Sequence, residues 1–210
     1  MIWRLPLIVA VAILPAASGA APTLDELGVS YAVSLSEDFT GKWGNGIGGR
    51  LGLLLGKPSP VELHAVLEVM YYPYTGDNLG LFFPDDLYYR HEIDGHGTTR
   101  FSLSSTIRLH GGMGDRRYGR GYLWGQVGVA FVDIGDIELT EWWVHDPGSR
   151  ATHVLSDSGQ LEAAAHVSFG FGLAINAGEH HCLVLETGTR ISTGESLLEV
   201  PLSLVVQFGR

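Results

Sequence analysis

The sequence predicts an all-β protein, an eight-stranded antiparallel up-and-down β-barrel. Apolar and polar residues alternate with a period of two in eight segments, which places the two classes on opposite faces of a strand. These segments are about nine to fifteen residues long, whereas an average strand has ~5–6 residues. The connections between them are alternately short and long. An even number of strands with short turns at one end and long loops at the other is typical of a transmembrane barrel.

The composition fits a protein whose surface is only partly in water. Of the 210 residues, 45% are hydrophobic and 17% are charged, whereas a soluble domain has about 25% charged residues. The formal charge of -10 argues against a nucleic-acid partner. Lysine occurs only at Lys42 and Lys57, although water-facing β surfaces usually carry it as protection against aggregation. Cys182 is the single cysteine, so no disulfide can form within the chain.

The first twenty residues have the pattern of a secretory signal peptide. Arg4 is followed by the apolar run 5–14, and the small residues 18–20 provide a cleavage site. We therefore predict a signal peptide over 1–20 and a barrel domain over 21–210. Thr23 and Glu26 have the spacing of a capping box, which predicts a short helical turn before the first strand.

The segment 100–109 illustrates how the strands are assigned. Phe101, Leu103 and Ile107 fall on one face, whereas Arg100 and Arg108 fall on the other. The connections 73–98 and 133–160 are predicted as two long loops at the same end of the barrel. A bulge is expected in the last strand at its proline, which removes one backbone donor. The eight predicted strands are 27–35, 47–55, 61–71, 100–109, 121–131, 161–175, 183–191 and 198–208.

The composition of the polar face decides which face points inward. It carries arginine and glutamate in near balance, separated by small residues and without lysine, as expected in a crowded interior where charges must pair. The opposite face has no charge in the central part of any strand, as lipid requires, because a charge at mid-bilayer costs roughly 2–4 kcal/mol. A soluble lipocalin-like ligand-binding barrel remains the alternative. The predicted lumen network consists of Arg50, Glu62, His64, Glu68, Arg100, Arg108, Arg120, Glu162, His166, Glu186, Arg190 and Glu199.

The whole mature chain resembles the OmpA/OmpX-type eight-stranded outer-membrane barrels of Gram-negative bacteria. Its last strand resembles their C-terminal insertion signal, with alternate apolar residues up to Phe208, although Gly209 and Arg210 follow. The resemblance implies a location in the bacterial outer membrane, in contact with its lipid and lipopolysaccharide. It also implies that the barrel assembly machinery recognises the C-terminal strand. We expect a monomer without a cofactor, metal ion or nucleic acid.

One short motif favours an enzyme. His166 and Ser168, two residues apart on a strand, share a face, and with Glu179 or Glu186 they resemble the triad of outer-membrane lipid A deacylases. In that family the motif lies on the next-to-last strand, whereas here two more strands follow it. Parity also places both side chains in the lumen, away from a lipid substrate. We interpret them as lumen residues and keep a lipid A deacylase-like esterase as the alternative.

The two long loops contain the remaining candidates. His91, Asp94 and His96 could bind a metal weakly, but their spacing does not match the helical zinc protease motif. Trp142 and Trp143 could anchor in the outer leaflet or contact a ligand. An interior of eight strands is just wide enough for side chains, so no diffusion pore is expected. The sequence thus favours a non-enzymatic barrel with a filled lumen, two long extracellular loops and a structural or surface-interaction role.

Overall fold

The computed structural model describes residues 22–36, 43–58, 60–75, 89–111, 119–156, 161–178, 180–193 and 198–208. The predicted signal peptide and Glu179 lie outside these residues. In this part of the chain no helix is long and apolar enough to cross a membrane. The strands are β1 Thr23–Ser34, β2 Gly46–Gly56, β3 Val61–Tyr72, β4 Tyr89–Gly95, β5 Thr98–His110, β6 Gly119–Asp133, β7 Ile137–Trp143, β8 Asp146–Ser156, β9 Leu161–Asn176, β10 His181–Ser192 and β11 Leu198–Phe208.

Eight of these strands form a closed antiparallel barrel in the order β1-β2-β3-β5-β6-β9-β10-β11. Each strand pairs with the next one in this order, and β11 returns to β1 with Val29 opposite Leu204. The prediction of an eight-stranded up-and-down barrel is confirmed. The connections 57–60, 111–118 and 177–180 join the strands at one end, which we call the turn end. The other connections, which include the two longest, lie at the opposite end, the loop end.

The two long connections are more ordered than the sequence predicts. Strands β4, β7 and β8 form a separate three-stranded sheet, in which Ile93 lies opposite Leu139 and Thr140 opposite Thr152. Two residues separate β4 from β5, and three residues separate β6 from β7. This sheet, which we call the loop sheet, therefore continues two barrel strands beyond the loop end.

Two local predictions are wrong. Thr23 begins β1 instead of a helical turn, because pairing with β2 and β11 supplies the backbone partners that a capping box would otherwise provide. Pro201 causes no bulge, since it lies opposite Ala32 without a register shift. On the other side of β11 the pairs stop at Thr187 and resume at Arg190 in the same register, so the proline leaves a gap in the ladder.

The barrel is apolar outside and polar inside. Large apolar side chains on its outer face are exposed, for example Val29 at 58% and Phe169 at 56%. Inward-facing charged side chains are almost completely buried, for example Arg108 at 1% and Glu199 at 0%. This arrangement is the reverse of the usual distribution in a water-soluble domain. In the described strands the charged face therefore lines the inside of the barrel.

An apolar group of side chains lies at the loop end of the lumen. Trp43, Met70, Tyr72 and Ile137 are each 1% exposed and pack together with Ala32. The indole Nε1 of Trp43 donates a hydrogen bond to the carbonyl oxygen of His96 at 3.3 Å. We call these five residues the loop-side plug. It separates the charged lumen from the loop sheet.

Candidate functional site: the charged lumen

The uppermost charged cluster lies below the loop-side plug. Arg190 donates through Nη2 to Glu68 Oε2 at 2.6 Å, and its Nη1 lies 3.6 Å from Glu199 Oε2. Arg100 donates to the same Glu199 oxygen at 2.6 Å, and the hydroxyl of Tyr72 donates to the other. Every side chain in this upper cluster is therefore buried and held by a charge-assisted contact.

The central cluster is organised around two carboxylates. Glu186 accepts hydrogen bonds from Arg50 Nη1 at 2.6 Å, Arg108 Nε at 2.8 Å and the Tyr122 hydroxyl at 2.8 Å. Arg108 also binds Glu26 in a bidentate contact, in which Nη2 lies 3.1 Å from Oε2. These five residues come from five different strands, so their interactions tie opposite walls of the barrel together.

The third cluster lies at the turn end. Glu62 is 1% exposed and is contacted by Arg120 Nη2 at 2.9 Å, His110 Nε2 at 3.0 Å and Lys57 Nζ at 3.0 Å. His64 Nε2 lies 3.6 Å from Glu62 Oε2. Lys57 is half exposed and Arg120 partly exposed, so this cluster is the one in contact with solvent.

The structure brings together most of the predicted lumen residues and corrects one of them. Glu162 has inward parity, but its side chain is exposed because it lies at the loop end of β9, so it is not part of the buried network. Asp25, Glu26 and His110 also line the lumen, although they were not predicted from the sequence. Glu26 lies an even number of residues from Ser30, which faces inward, so the alternation along β1 also places Glu26 inside. The helical turn predicted for this segment hid that alternation.

The candidate triad is not assembled. His166 and Ser168 are each 1% exposed and face the lumen. Neither ring nitrogen of His166 has a hydrogen-bond partner in the described part of the chain, whereas the Ser168 hydroxyl accepts a hydrogen bond from Arg190 Nε at 3.4 Å. Glu186 is committed to two arginines of the central cluster. Without a base on its hydroxyl, Ser168 lacks the activation that a nucleophile needs.

The loop sheet separates the residues of the predicted weak metal site. Asp94 is exposed and lies three positions from His91, so the two side chains point to opposite faces of β4. The imidazole of His91 instead lies 3.8 Å from Glu141, whose other oxygen is 3.4 Å from His153.

Near the base of the sheet, burial together with the Asp94 carboxylate raises the pKa of the Tyr74 hydroxyl.

The exposed tip of the loop sheet carries aromatic and apolar groups. Trp143 is 47% exposed and Val144 37%. The guanidinium of Arg150 lies 4.9 Å from the ring centre of Trp142, a cation–π distance. The tip thus presents flat apolar surface beside a positive charge.

Together these features define a class: a closed eight-stranded antiparallel barrel with an apolar outer wall and a lumen filled by ion pairs. No family model matches the chain, and no curated protein sequence matches it. Among solved structures it is similar to Ail, the attachment invasion locus protein of Yersinia pestis, with 11% identity and a TM-score of 0.47 over 88% of this chain and 95% of that one.

Two further structures show the same degree of similarity. The N-terminal β-barrel domain of Pseudomonas aeruginosa OprF has 13% identity and a TM-score of 0.45, covering 90% of this chain and 100% of that one. Neisserial surface protein A has 10% identity and a TM-score of 0.47, covering 91% and 100%. These neighbours are eight-stranded outer-membrane barrels. The fold of the present chain is established by its own strand order and closure.

Proposed function

We propose that the mature chain is a monomeric, non-enzymatic barrel of the bacterial outer membrane, with a sealed lumen and a surface-interaction role for its loop end. The observation that carries this proposal is the inversion of polarity between the two faces of the barrel wall. Exposed valine, leucine and phenylalanine side chains cover the outside, whereas arginine and glutamate fill the inside.

The inversion follows from the physical chemistry of a lipid environment. An exposed apolar surface of this extent is unfavourable in water and marks a contact with another phase or partner. Charged groups leave water at a cost of several kcal/mol each unless they are paired and hydrogen-bonded. Closing the sheet also pairs the edge strands, which a barrel in lipid requires because no water is available to their backbone groups.

The same observation disfavours a soluble ligand-binding barrel. A lipocalin-like protein needs a lumen that can hold a small ligand. Here Arg108, Glu186 and Arg50 cross the middle of the barrel, and Trp43 closes its loop end. The filled lumen also supports a structural role over a diffusion channel.

The orientation follows from the lengths of the connections. We place the turn end, with both chain ends of the barrel, in the periplasm and the loop sheet outside the cell. The outer wall would then contact lipid and lipopolysaccharide. Strand β11 ends at Phe208, whose ring packs edge-on against His181 at 5.8 Å, and we propose that the barrel assembly machinery recognises this strand.

A fractionation experiment tests the proposal. We expect the mature protein to sediment with outer membranes, to resist extraction by carbonate and to dissolve only in detergent. Recovery from the periplasm without detergent would contradict it. Analysis of lipid A by mass spectrometry tests the enzymatic alternative: cells with the parent protein and with Ser168→Ala should contain identical lipid A. A loss of deacylated species in the variant would show that Ser168 is catalytic.

A further inference from the structure

We propose that the lumen contains a binding site for one divalent transition-metal ion at its turn end, formed by Asp25, Glu26 and His64. The carboxylates come from β1 and the imidazole from β3, which lies on the far side of β2 in the barrel wall. All three residues are buried, and one ligand atom of each lies within 4.8 Å of the other two. The inference does not depend on where in the cell the barrel is located.

The spacing of the three ligands fits a metal ion. His64 Nδ1 lies 3.7 Å from Asp25 Oδ2 and 3.8 Å from Glu26 Oε1. These separations are too long for hydrogen bonds. Two ligands that each bind zinc at about 2.1 Å with a tetrahedral angle lie about 3.4 Å apart, so the two distances from Nδ1 exceed this value by only a few tenths of an ångström. The two carboxylate oxygens lie within 4.8 Å of each other.

Two buried polar atoms near the two carboxylates have no hydrogen-bond partner in the described residues. His64 is 0% exposed, and its Nδ1 has no hydrogen-bond partner among the described residues, although it faces both carboxylates. Gln207 is 2% exposed and donates through Nε2 to Asp25 Oδ2 at 2.8 Å, while its Oε1 has no partner in the same part of the chain. Buried polar atoms of this kind are normally satisfied, so each one calls for an explanation.

The positive charges of the described lumen are shared unevenly among its carboxylates. Five arginines together with Lys57 match six carboxylates in number, but two of these cations, Arg120 and Lys57, contact Glu62. Asp25 contacts only Gln207 and His64, and in the described residues no lysine or arginine lies within 4.0 Å of it. The six carboxylates are Asp25, Glu26, Glu62, Glu68, Glu186 and Glu199.

Metal binding at Nδ1 selects one tautomer of His64. With the metal on Nδ1, the ring proton is on Nε2, which lies 3.6 Å from Glu62 Oε2. In metal sites the second ring nitrogen of a metal-bound histidine commonly donates its proton to a carboxylate. Arg108 opposes binding, because its Nη1 lies 3.4 Å from His64 Nε2 and also donates to Glu26 Oε1, one of the proposed ligand atoms. Binding therefore requires the guanidinium to move away from the imidazole, and its contact with Glu186 can hold it in that position.

The donor set indicates which ions fit. One imidazole nitrogen with carboxylate oxygens suits zinc and similar first-row ions, whereas calcium and magnesium prefer oxygen ligands alone. Asp25 retains slight exposure at the turn end, which provides a route for entry. We therefore expect the site to bind zinc and to discriminate against calcium.

Calorimetry with zinc chloride tests the inference on the refolded full-length mature barrel in detergent after removal of metals with a chelator. We expect one equivalent of zinc to bind and an excess of calcium not to compete. His64→Gln and Asp25→Asn should each weaken binding by about tenfold or more. His166→Gln is the matched control, because His166 is equally buried in the lumen and lies in the upper part of the barrel; its affinity should equal that of the parent.

Three outcomes would overturn the inference: no zinc binding by the parent, binding unchanged in both ligand variants, or an equal loss in the His166 control. If a ligand variant does not refold, X-ray absorption of the zinc-loaded parent gives an independent answer. It should show one imidazole nitrogen and otherwise oxygen; two or more imidazoles would place the ion elsewhere.

Discussion

Glu186 is the single residue on which the central cluster depends most. Glu186→Gln keeps the size of the side chain but leaves Arg50 and Arg108 without a full counter-charge in a buried position. Breaking one partner of a buried ion pair costs about 3–5 kcal/mol. We therefore expect a clear decrease in the urea midpoint for unfolding from lipid vesicles.

The matched control for this change is Glu162→Gln. Glu162 has the same inward parity, but its side chain is exposed at the loop end. Its replacement should change the free energy of unfolding by no more than about 0.5 kcal/mol. Equal effects of the two variants would show that the buried ion pairs do not stabilise the barrel.

Val167 tests the assignment of the outer wall to lipid. It lies near the middle of β9 and is 53% exposed. Val167→Arg would place a charge in the bilayer at a cost of roughly 2–4 kcal/mol, so the yield of folded protein in vesicles should fall. Val154→Arg is the control, because Val154 is 58% exposed but lies on β8 of the loop sheet. If both variants fold equally well, the wall does not face lipid.

The sequence was sufficient to predict which side chains face inward but not which of them meet. Parity is a local property of a strand, so the inward positions of Arg108 and Glu186 could be predicted directly. Their contact depends on the register of strands that lie 78 residues apart along the chain. The alternation along β9 also could not show that Glu162 lies beyond the enclosed lumen. How much of a strand is enclosed depends on the lengths of all the strands of the barrel.

At the scale of elements, the close approach of β9 and β10 depends on a pair of glycines. Gly170 lies opposite Gly188, and a Cβ on Gly170 would collide with the carbonyl oxygen of Thr187 and lie 2.6 Å from Gly188 Cα. We expect Gly170→Ala to destabilise the barrel by about 1–3 kcal/mol, because backbone atoms cannot move aside easily. Unfolding by urea in vesicles measures the effect.

Gly125 provides the control for this prediction. It lies in the interior of β6, and a Cβ placed on it would have no atom within 4 Å. Gly125→Ala should leave the urea midpoint unchanged or raise it slightly. A similar loss of stability in both variants would indicate that strand propensity, and not the close approach, explains the glycine at position 170.

The loop sheet shows why some elements were not predicted. The barrel strands are 11 to 16 residues long, so their alternation is clear. Strands β4 and β7 have only 7 residues each, and β7 carries charged residues on both faces, Glu138 and Glu141. Their pairing is specified by the barrel strands to which they are joined, since β5 and β6 already bring the two connections side by side.

At the scale of the whole molecule, the described lumen is crossed by charged clusters and closed by the loop-side plug. An ion passing along the axis would have to separate Arg108 from Glu186 and Arg190 from Glu68, and then displace Trp43. We therefore expect the purified parent to show no steady single-channel current in a planar lipid bilayer. Trp43→Ala should also remain closed, because the ion pairs beneath the plug are intact. A steady current of porin size from the parent would mean that the lumen is open, and the proposal of a sealed barrel would have to be abandoned.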